Sequence, residues 1–526
     1  MVDLAERPNV ARPDYDRWLL PPAALAVHLC IGMAYGFSVF WLPLTRALGV
    51  TEPVTCEGMG LGEALVTTTC DWRVSDLIWI YTLFFVVLGA AAALFGGWLE
   101  RVGPRRAALV SAACWCGGML IAAVGVAVHQ LWLLWLGAGV IGGIGLGLGY
   151  ISPVSTLIKW FPDRRGMATG MAIMGFGGGA MIGGPLADAL MRFYAGSASV
   201  GVWQTLVTMA AIYGVFMIAG ALGYRLPPPG WHPPGRVVMK QVATAVPELP
   251  LEGVHRTPQF WLLWAVLFLN VSAGIGLIGL ASPLLQEIMG GRLFGEPSVE
   301  FADFDAEQKV LAASVGAGFV GLLSLFNIGG RFFWASLSDR IGRRSTYFLF
   351  FGFGAAAFAL APTLARLDTM AGFLAAMCLI ASMYGGGFST IPAYLADLFG
   401  TRFVGAIHGR LLTAWSAAGI AGPLLVAYCL DAGRADGLNA IALYAPVYWL
   451  LCGLLAAGFV ANWLVQPLQT SEQNSEVNVA VLADEPATDP TVRRSLPKLA
   501  LAWGAVLLPL AWGVTITLQT AAALFF

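Results

Sequence analysis

Thirteen stretches of this chain are apolar and long enough to cross a lipid bilayer, and that pattern leaves few folds open. They run at about 18–44, 77–98, 107–128, 131–158, 166–190, 203–224, 259–285, 310–336, 346–364, 370–398, 404–430, 440–465 and 500–526. A hydrocarbon core about 30 Å thick needs roughly 20 residues of helix to span it. Within that core each backbone N–H and C=O must find its partner inside the segment, which long apolar runs achieve only as helices. Composition agrees: 58% of the 526 residues are apolar and 11% are charged, against about 45–50% and ~25% in soluble domains. We expect an all-α membrane protein whose immediate partner is the lipid bilayer. A net charge of −1 offers no basic surface for nucleic acid. The N-terminus, MVDLAERPNVARPDYDRW, is polar and mixed in charge, unlike a cleavable signal peptide.

Charge orients the helices. With the N-terminus inside, the inner loops hold eighteen basic residues and the outer loops seven, which satisfies the positive-inside rule. The acid-rich loops 49–76 and 286–309 then face outward. This reading gives a cell-membrane protein with a cytoplasmic N-terminus and, after an odd number of spans, an external C-terminus. Cys56 and Cys70 share one outer loop; they can form a disulfide if that loop meets an oxidising compartment, or remain two thiols.

The chain also repeats itself. Gly97–Arg106 and Ala335–Arg344 carry matching turns, Glu100 aligning with Asp339 and Gly103 with Gly342 at a shift of 239, and Pro153 aligns with Pro392 at the same shift. The expected organisation is a tail at 1–17, a six-helix half at 18–224 and a linker at 225–258. A second six-helix half at 259–465, a polar tether at 466–499 and a thirteenth helix at 500–526 complete it. Parallel repeats enclosing a site near the midplane are a transporter architecture. Glycine clusters at 142–149, 175–179 and 385–387 allow close helix packing, and Gly145-x-Gly147-x-Gly149 is no nucleotide loop because no strand precedes it.

One residue breaks the apolar pattern most sharply. Arg331 lies eight residues deeper than the charged turn at Asp339, roughly 12 Å along a helix rising ~1.5 Å per residue. A guanidinium at that depth costs at least ~2.5–3.5 kcal/mol on insertion scales. No acid stands one or two turns away, and Asn327 is neutral. The missing anion is read as the substrate.

The loop turns resemble the signature of the major facilitator superfamily, G-x-x-x-D-R-x-G-R-R. Closer runs resemble its oxalate/formate antiporter family. They are Gly145–Tyr150 with Pro153, Lys159–Gly166, Gly175–Ala180, Asn327-x-x-Gly330-Arg331 and Gly385–Tyr394. The likeness covers about 18–465 and implies a secondary transporter of small carboxylates, working as a monomer without cofactor or metal. The last helix is similar to a small single-helix subunit found beside some such transporters, here fused. The family's oxalate exchanger is understood to use an arginine in the eighth helix and a lysine in the eleventh. Arg331 matches the first, while Trp415 or a neighbour occupies the region of the second, with His408 and Arg410 the nearest bases. One cation suits a monocarboxylate such as formate, lactate or pyruvate. The Asn327/Arg331 pair is also similar to that of the related monocarboxylate transporters. Oxalate/formate exchange is the alternative, and a substrate sensor on the same scaffold is the alternative of another class.

The expected substrate-binding set is Arg331 and Asn327, with Tyr35, Tyr150 and Tyr384 as hydroxyl donors and Phe388 and Trp415 as walls. For each aromatic the competing role is plain packing. His28, mid-way along the first helix, is the candidate for proton coupling, and Asp188 a weaker one; the coupling partner is a proton or a counter-anion. Glu100, Arg101, Arg105 and Arg106, with Asp339, Arg340, Arg343 and Arg344, form the expected inner gate. No zinc spacing, nucleophile elbow or paired intramembrane acid supports an enzyme: Cys114-Trp115-Cys116 is too short for zinc, and the five histidines are dispersed.

Overall fold

The computed structural model describes residues 9–229, 231–233, 249, 251–293, 299, 301–366, 370–438, 440–468 and 495–522. Arg236, Lys240, Arg493 and Arg494, with most of the proposed linker and tether, lie outside the described residues. Thirteen spans form at the expected places, with residues 523–526 of the last outside the described residues. They are α1 (Arg17–Leu44), α2 (Val74–Val102), α3 (Pro104–Ala127), α4 (Leu131–Trp160), α5 (Arg165–Tyr194) and α6 (Val202–Gly223) in one half. The second half holds α7 (Pro258–Gly291), α8 (Glu307–Ile341), α9 (Arg343–Ala365), α10 (Met370–Phe399), α11 (Val404–Ala435) and α12 (Ile441–Leu464), and α13 (Leu496–Ala522) follows. No strand forms among the described residues.

Two spans depart from regular α-helix in ways that apolar periodicity does not announce. α1 tightens to a 3-10 helix over Gly32–Phe40, and α4 widens to a π-helix over Trp135–Gly142. Both stretches contain glycine, whose missing Cβ removes the steric preference for the α-helix. In α4 it also brings Gly137 against the backbone of Gly118 and Ala122 in α3. In α1 the tightened segment carries Tyr35. Prolines inside α4, α5, α7, α10 and α11 (Pro153, Pro185, Pro283, Pro392 and Pro423) remove ladder bonds midway and supply bends.

Each half is a bundle whose members pack closely, α3 on α6 and α9 on α12, for example; the halves meet through α5 against α8 and α10, and through α2 against α11. The basic face, called inner here from the charge count, carries the two repeated turns. Gly103 and Gly342 stand there at φ +86° and +87°, 239 residues apart like the acids beside them. A side chain at either position would be strained.

On the opposite, acid-rich face Cys56 is bonded to Cys70. The Asp71 carboxylate accepts from the N–H groups of Leu48, Gly49 and Val54, so the loop is tied together at one acid. His129 stacks on Trp72 at 4.0 Å between ring centres and bonds the Cys70 carbonyl. Burial pushes its pKa below the usual histidine value, against smaller opposing pulls from the Cys70 carbonyl and from Asp71.

Candidate functional site

Arg331 is 1% exposed. Its Nε donates to Asn327 Oδ1 at 3.0 Å, one turn earlier, and Nη1 donates to the Ile173 carbonyl of α5 at 3.1 Å. The Asn327 amide in turn reaches the Ala381 carbonyl of α10 at 3.3 Å. Both partners of the guanidinium are neutral, no Asp or Glu pairs with it among the described residues, and Nη2 has no partner. A guanidinium has five N–H donors, so three are left for something else. Gly177 makes room for it: a Cβ there would stand 3.1 Å from Nε.

Around this cation the expected residues converge. The Trp415 ring lies 4.8 Å from Phe388, 5.2 Å from Tyr150, 5.5 Å from Phe176 and 6.3 Å from Tyr35, centre to centre. Tyr384 meets Phe388 at 5.4 Å. The Arg331 guanidinium carbon sits 5.9 Å from the Phe176 ring centre and 5.5 Å from that of Phe388, within reach of cation–π attraction. Several polar atoms of this cage are orphaned: Tyr150 Oη, Trp415 Nε1 and Arg331 Nη2 have no bond. Tyr35 Oη lies beside Tyr384 and Arg331 but closes no hydrogen bond of sound geometry. Each unmade buried bond costs about 1–3 kcal/mol, and here several such atoms stand together around one buried cation. Phe176 and Phe85, also packed on Trp415, were not among the expected site residues; an aromatic inside the glycine run 175–179 was the available signal for Phe176.

A cavity of about 570 Å³ leads down to this cage between the halves. Its walls run from Ile78, Pro185, Ala317 and Pro423 to a floor of Tyr35, Phe85, Asn327 and Tyr384. Arg331, Tyr150, Phe388 and Trp415 lie beneath that floor. The inner side is sealed, so the chain stands in an outward-facing arrangement in the sense defined by the charge count.

The seal is built on the repeat. Asp339 accepts from the N–H groups of Gly166 and Met167, both at 2.8 Å, at the start of α5. Glu100 accepts from the Gly405 N–H at 3.1 Å at the start of α11. Gly166 and Gly405 are themselves 239 apart, so each half caps a helix of the other with an acid. Anions at helix N-termini are favoured by the orphan N–H groups and the dipole. The expected gate therefore needs revision at several positions. Arg343 supports Asp339 at 2.6 Å and Asp397 at 3.0 Å, and Arg165 crosses the halves to Asp397 at 2.9 Å. Arg105 instead bonds carbonyls at the end of α6, and Arg344 carbonyls at the end of α12, each within its own half. Arg101, Arg106 and Arg340 are exposed. Lys159, which bonds Glu100 at 2.7 Å, with Arg165 and Asp397, was missed because loop charges reveal sidedness and not partners.

His28 is fully buried. Its Nδ1 lies 2.5 Å from the Ala172 carbonyl and Nε2 3.2 Å from the Tyr150 carbonyl. A neutral imidazole donates to one of these only; a protonated one satisfies both. His408, one of the two bases nearest the region where the resemblance expects a lysine, is buried beneath Tyr150 at 5.8 Å between ring centres, with neither nitrogen bonded. Asp188 pairs with Arg192 on an exposed helix surface, away from the cage.

Comparison with known proteins places this architecture. The Major Facilitator Superfamily profile matches residues 24–423 and 310–526. The oxalate:formate antiporter of Oxalobacter formigenes is 27% identical over 408 residues, 77% of this chain and 83% of its own length. Apicoplast pyruvate carrier 1 of Toxoplasma gondii is 26% identical over 79% of this chain and 84% of its own, and human monocarboxylate transporter 11 is 24% identical over 79% and 77%. Among solved structures, the fucose:proton symporter of E. coli superposes with a TM-score of 0.55 at 13% identity, covering 86% of this chain and 100% of its own. Two six-helix halves, a repeated acidic turn that locks them, and a matching profile over most of the length make the chain a multi-pass membrane transporter belonging to the major facilitator superfamily.

Proposed function

We propose that this transporter moves small carboxylate anions by alternating access, and that a monocarboxylate of the formate, lactate or pyruvate type is its substrate. The observation that carries the reading is Arg331: a buried permanent cation with neutral partners and spare donors, under the floor of an outward cavity. A carboxylate completes it with short charge-assisted bonds. In this reading Asn327 holds the guanidinium in register, Tyr35 and Tyr384 form a lid that parts to admit the anion, and Tyr150 and Trp415 donate to it. Phe388 and Phe176 bound its size. Because Arg331 also bonds Ile173 of the opposite half, the anion sits where both halves can grip it.

Trp415 in the region where the resemblance expects a lysine favours one carboxylate over two. The similarity to the oxalate:formate antiporter favours oxalate/formate exchange as the second reading. His28, facing two carbonyls, supports proton symport as the coupling mode. The basic inner face and the disulfide on the opposite face support a cytoplasmic N-terminus. The test is uptake of labelled formate, acetate, lactate, pyruvate and oxalate into proteoliposomes. Saturable flux of monocarboxylates, lactate or pyruvate among them, is expected, stimulated either by trans-carboxylate or by an acid exterior; oxalate uptake driven by internal formate, with lactate and pyruvate inert, selects the second reading, and flux of none of the five refutes both.

A further inference from the structure

The thirteenth helix is not an appendage. Its first turns lie beside the start of α1, and Trp503, Val506 and Leu510 form a small cluster with Leu25, Ala26 and Leu29 of that helix. Midway, Leu510 packs over Gly178, and Gly513 lies on the Met181 carbonyl of α5; a Cβ at Gly513 would come within 2.9 Å of that oxygen. The last turns cross to the other half. A Cβ at Gly318 of α8 would stand 2.6 Å from the Thr520 carbonyl, and one at Gly321 2.9 Å from the Thr517 methyl. α13 thus bridges the two halves, gripping α1 and α5 with its inner and middle turns and α8 with its outer turns.

It does so at the cavity. Ile516, Thr517 and Thr520 line the same 570 Å³ space as Tyr35, Asn327 and Tyr384. α5 and α8 touch at the inner end, where Gly166 lies on the Ala335 carbonyl. Towards the outer end α13 contributes cavity wall alongside them. The hydroxyls of Thr517 and Thr520 donate to carbonyls of their own helix, so this wall offers no free hydroxyl donor to the anion.

We propose that α13 is the lateral wall of the outward-facing cavity and a clamp on that state. It covers a side opening towards lipid between the outer ends of α5 and α8, and its joint contacts with both halves are ones that rocking must break. A helix bound to both halves in one state shifts the equilibrium towards that state by its differential contact energy. The inference needs only the two-state rocking of the superfamily and not the carboxylate assignment.

The test is a reversible cross-link in the full chain. Gly321→Cys and Thr517→Cys place two thiols at a contact between α8 and α13, and copper-phenanthroline with oxygen oxidises them to a disulfide. A third substitution, Ser155→Cys, reports inner opening: Ser155 is buried behind Gly405 and meets a membrane-impermeant maleimide only when the inner gate parts. The same protein without Ser155→Cys corrects for native thiols. The expected result is efficient cross-linking, at least a tenfold fall in inner labelling, and recovery on adding dithiothreitol. Failure to cross-link overturns the docking of α13. A cross-link that leaves inner labelling unchanged overturns the clamp, because α13 then rides with α8 alone. Neither readout uses a substrate, so absence of carboxylate flux in the parent protein leaves this test intact.

Discussion

Replacing Asp339 by Asn tests the inner seal with the least steric change. In the outward-facing state this carboxylate holds two N–H groups of the opposite half at 2.8 Å each. A hydrogen bond to a charged group contributes about 1.5–3 kcal/mol and one between neutral groups about 0.5–1.5. The amide keeps one acceptor oxygen but turns an NH₂ towards a backbone donor, so one bond is weakened and the other lost. The charge at the N-terminus of α5, a further ~0.3–1 kcal/mol, disappears as well. In the inward-open state the acid is solvated and loses little. Crediting about 1.5–3 kcal/mol after exposure is allowed for, the closed-to-open ratio falls roughly 10- to 150-fold. The assay is the rate at which an impermeant maleimide labels Ser155→Cys from the inner side. Asp339→Asn should raise that rate by at least tenfold, while Asp188→Asn, which removes an exposed pair within one helix, should leave it alone. Glu100→Gln should act in the same direction but less, since its single cross-half bond is 3.1 Å long. A rate within about twofold of the parent in Asp339→Asn would refute the claim that these crossed caps hold the seal.

Three further outcomes follow from the site and the outer loops. Trp415→Lys brings a second cation into the cage; competition binding should then shift from monocarboxylates towards oxalate by roughly tenfold or more, about 1.4 kcal/mol, and unchanged selectivity would remove Trp415 from the specificity set. His28→Gln supplies one donor to the two carbonyls and cannot carry a proton, so stimulation of uptake by an acid exterior should vanish while substrate binding persists; undiminished stimulation would exclude His28 from coupling. His129 is held below its usual pKa by burial, so the folded loop favours the neutral ring. That stabilisation is fully present above the unfolded value of about 6.5 and is lost as pH falls below it. Hydrogen-exchange protection factors in the 49–76 loop, corrected for the intrinsic pH dependence of exchange, should fall between pH 7.5 and pH 5, and His129→Asn, which tolerates the φ of +50° there, should flatten the dependence.

The membrane spans were legible because lipid forces them. Bounds read from apolar runs, such as 77–98 and 310–336, fall inside the observed Val74–Val102 and Glu307–Ile341, shortened because charged and polar end residues still continue the helix. Arg331 was legible for a related reason: a buried cation in an apolar run is costly enough to need a purpose. Its neighbours were partly legible, since aromatics among glycines mark places with room for a ring. What the sequence hid is partner choice. Lys159, Arg165 and Asp397 look like any loop charges until tertiary packing sets Glu100 beside α11 and Arg165 beside α10. The 3-10 segment of α1 and the π segment of α4 were hidden too, because a helix apolar all round has no phase to reveal its pitch. The docking face of α13 was equally silent: small residues at Gly178, Gly318, Gly321 and Gly513 matter only once two helices are known to meet.

The most direct measurement is equilibrium binding of a labelled monocarboxylate to the purified protein and to Arg331→Ala, with folding of both checked by melting temperature. Two charge-assisted bonds at about 1.5–3 kcal/mol each correspond to a loss of roughly 10²- to 10⁴-fold in affinity, and Arg331→Lys, which keeps the charge but not the fork, should fall between the two. Binding by a folded Arg331→Ala within threefold of the parent would contradict the account at its centre.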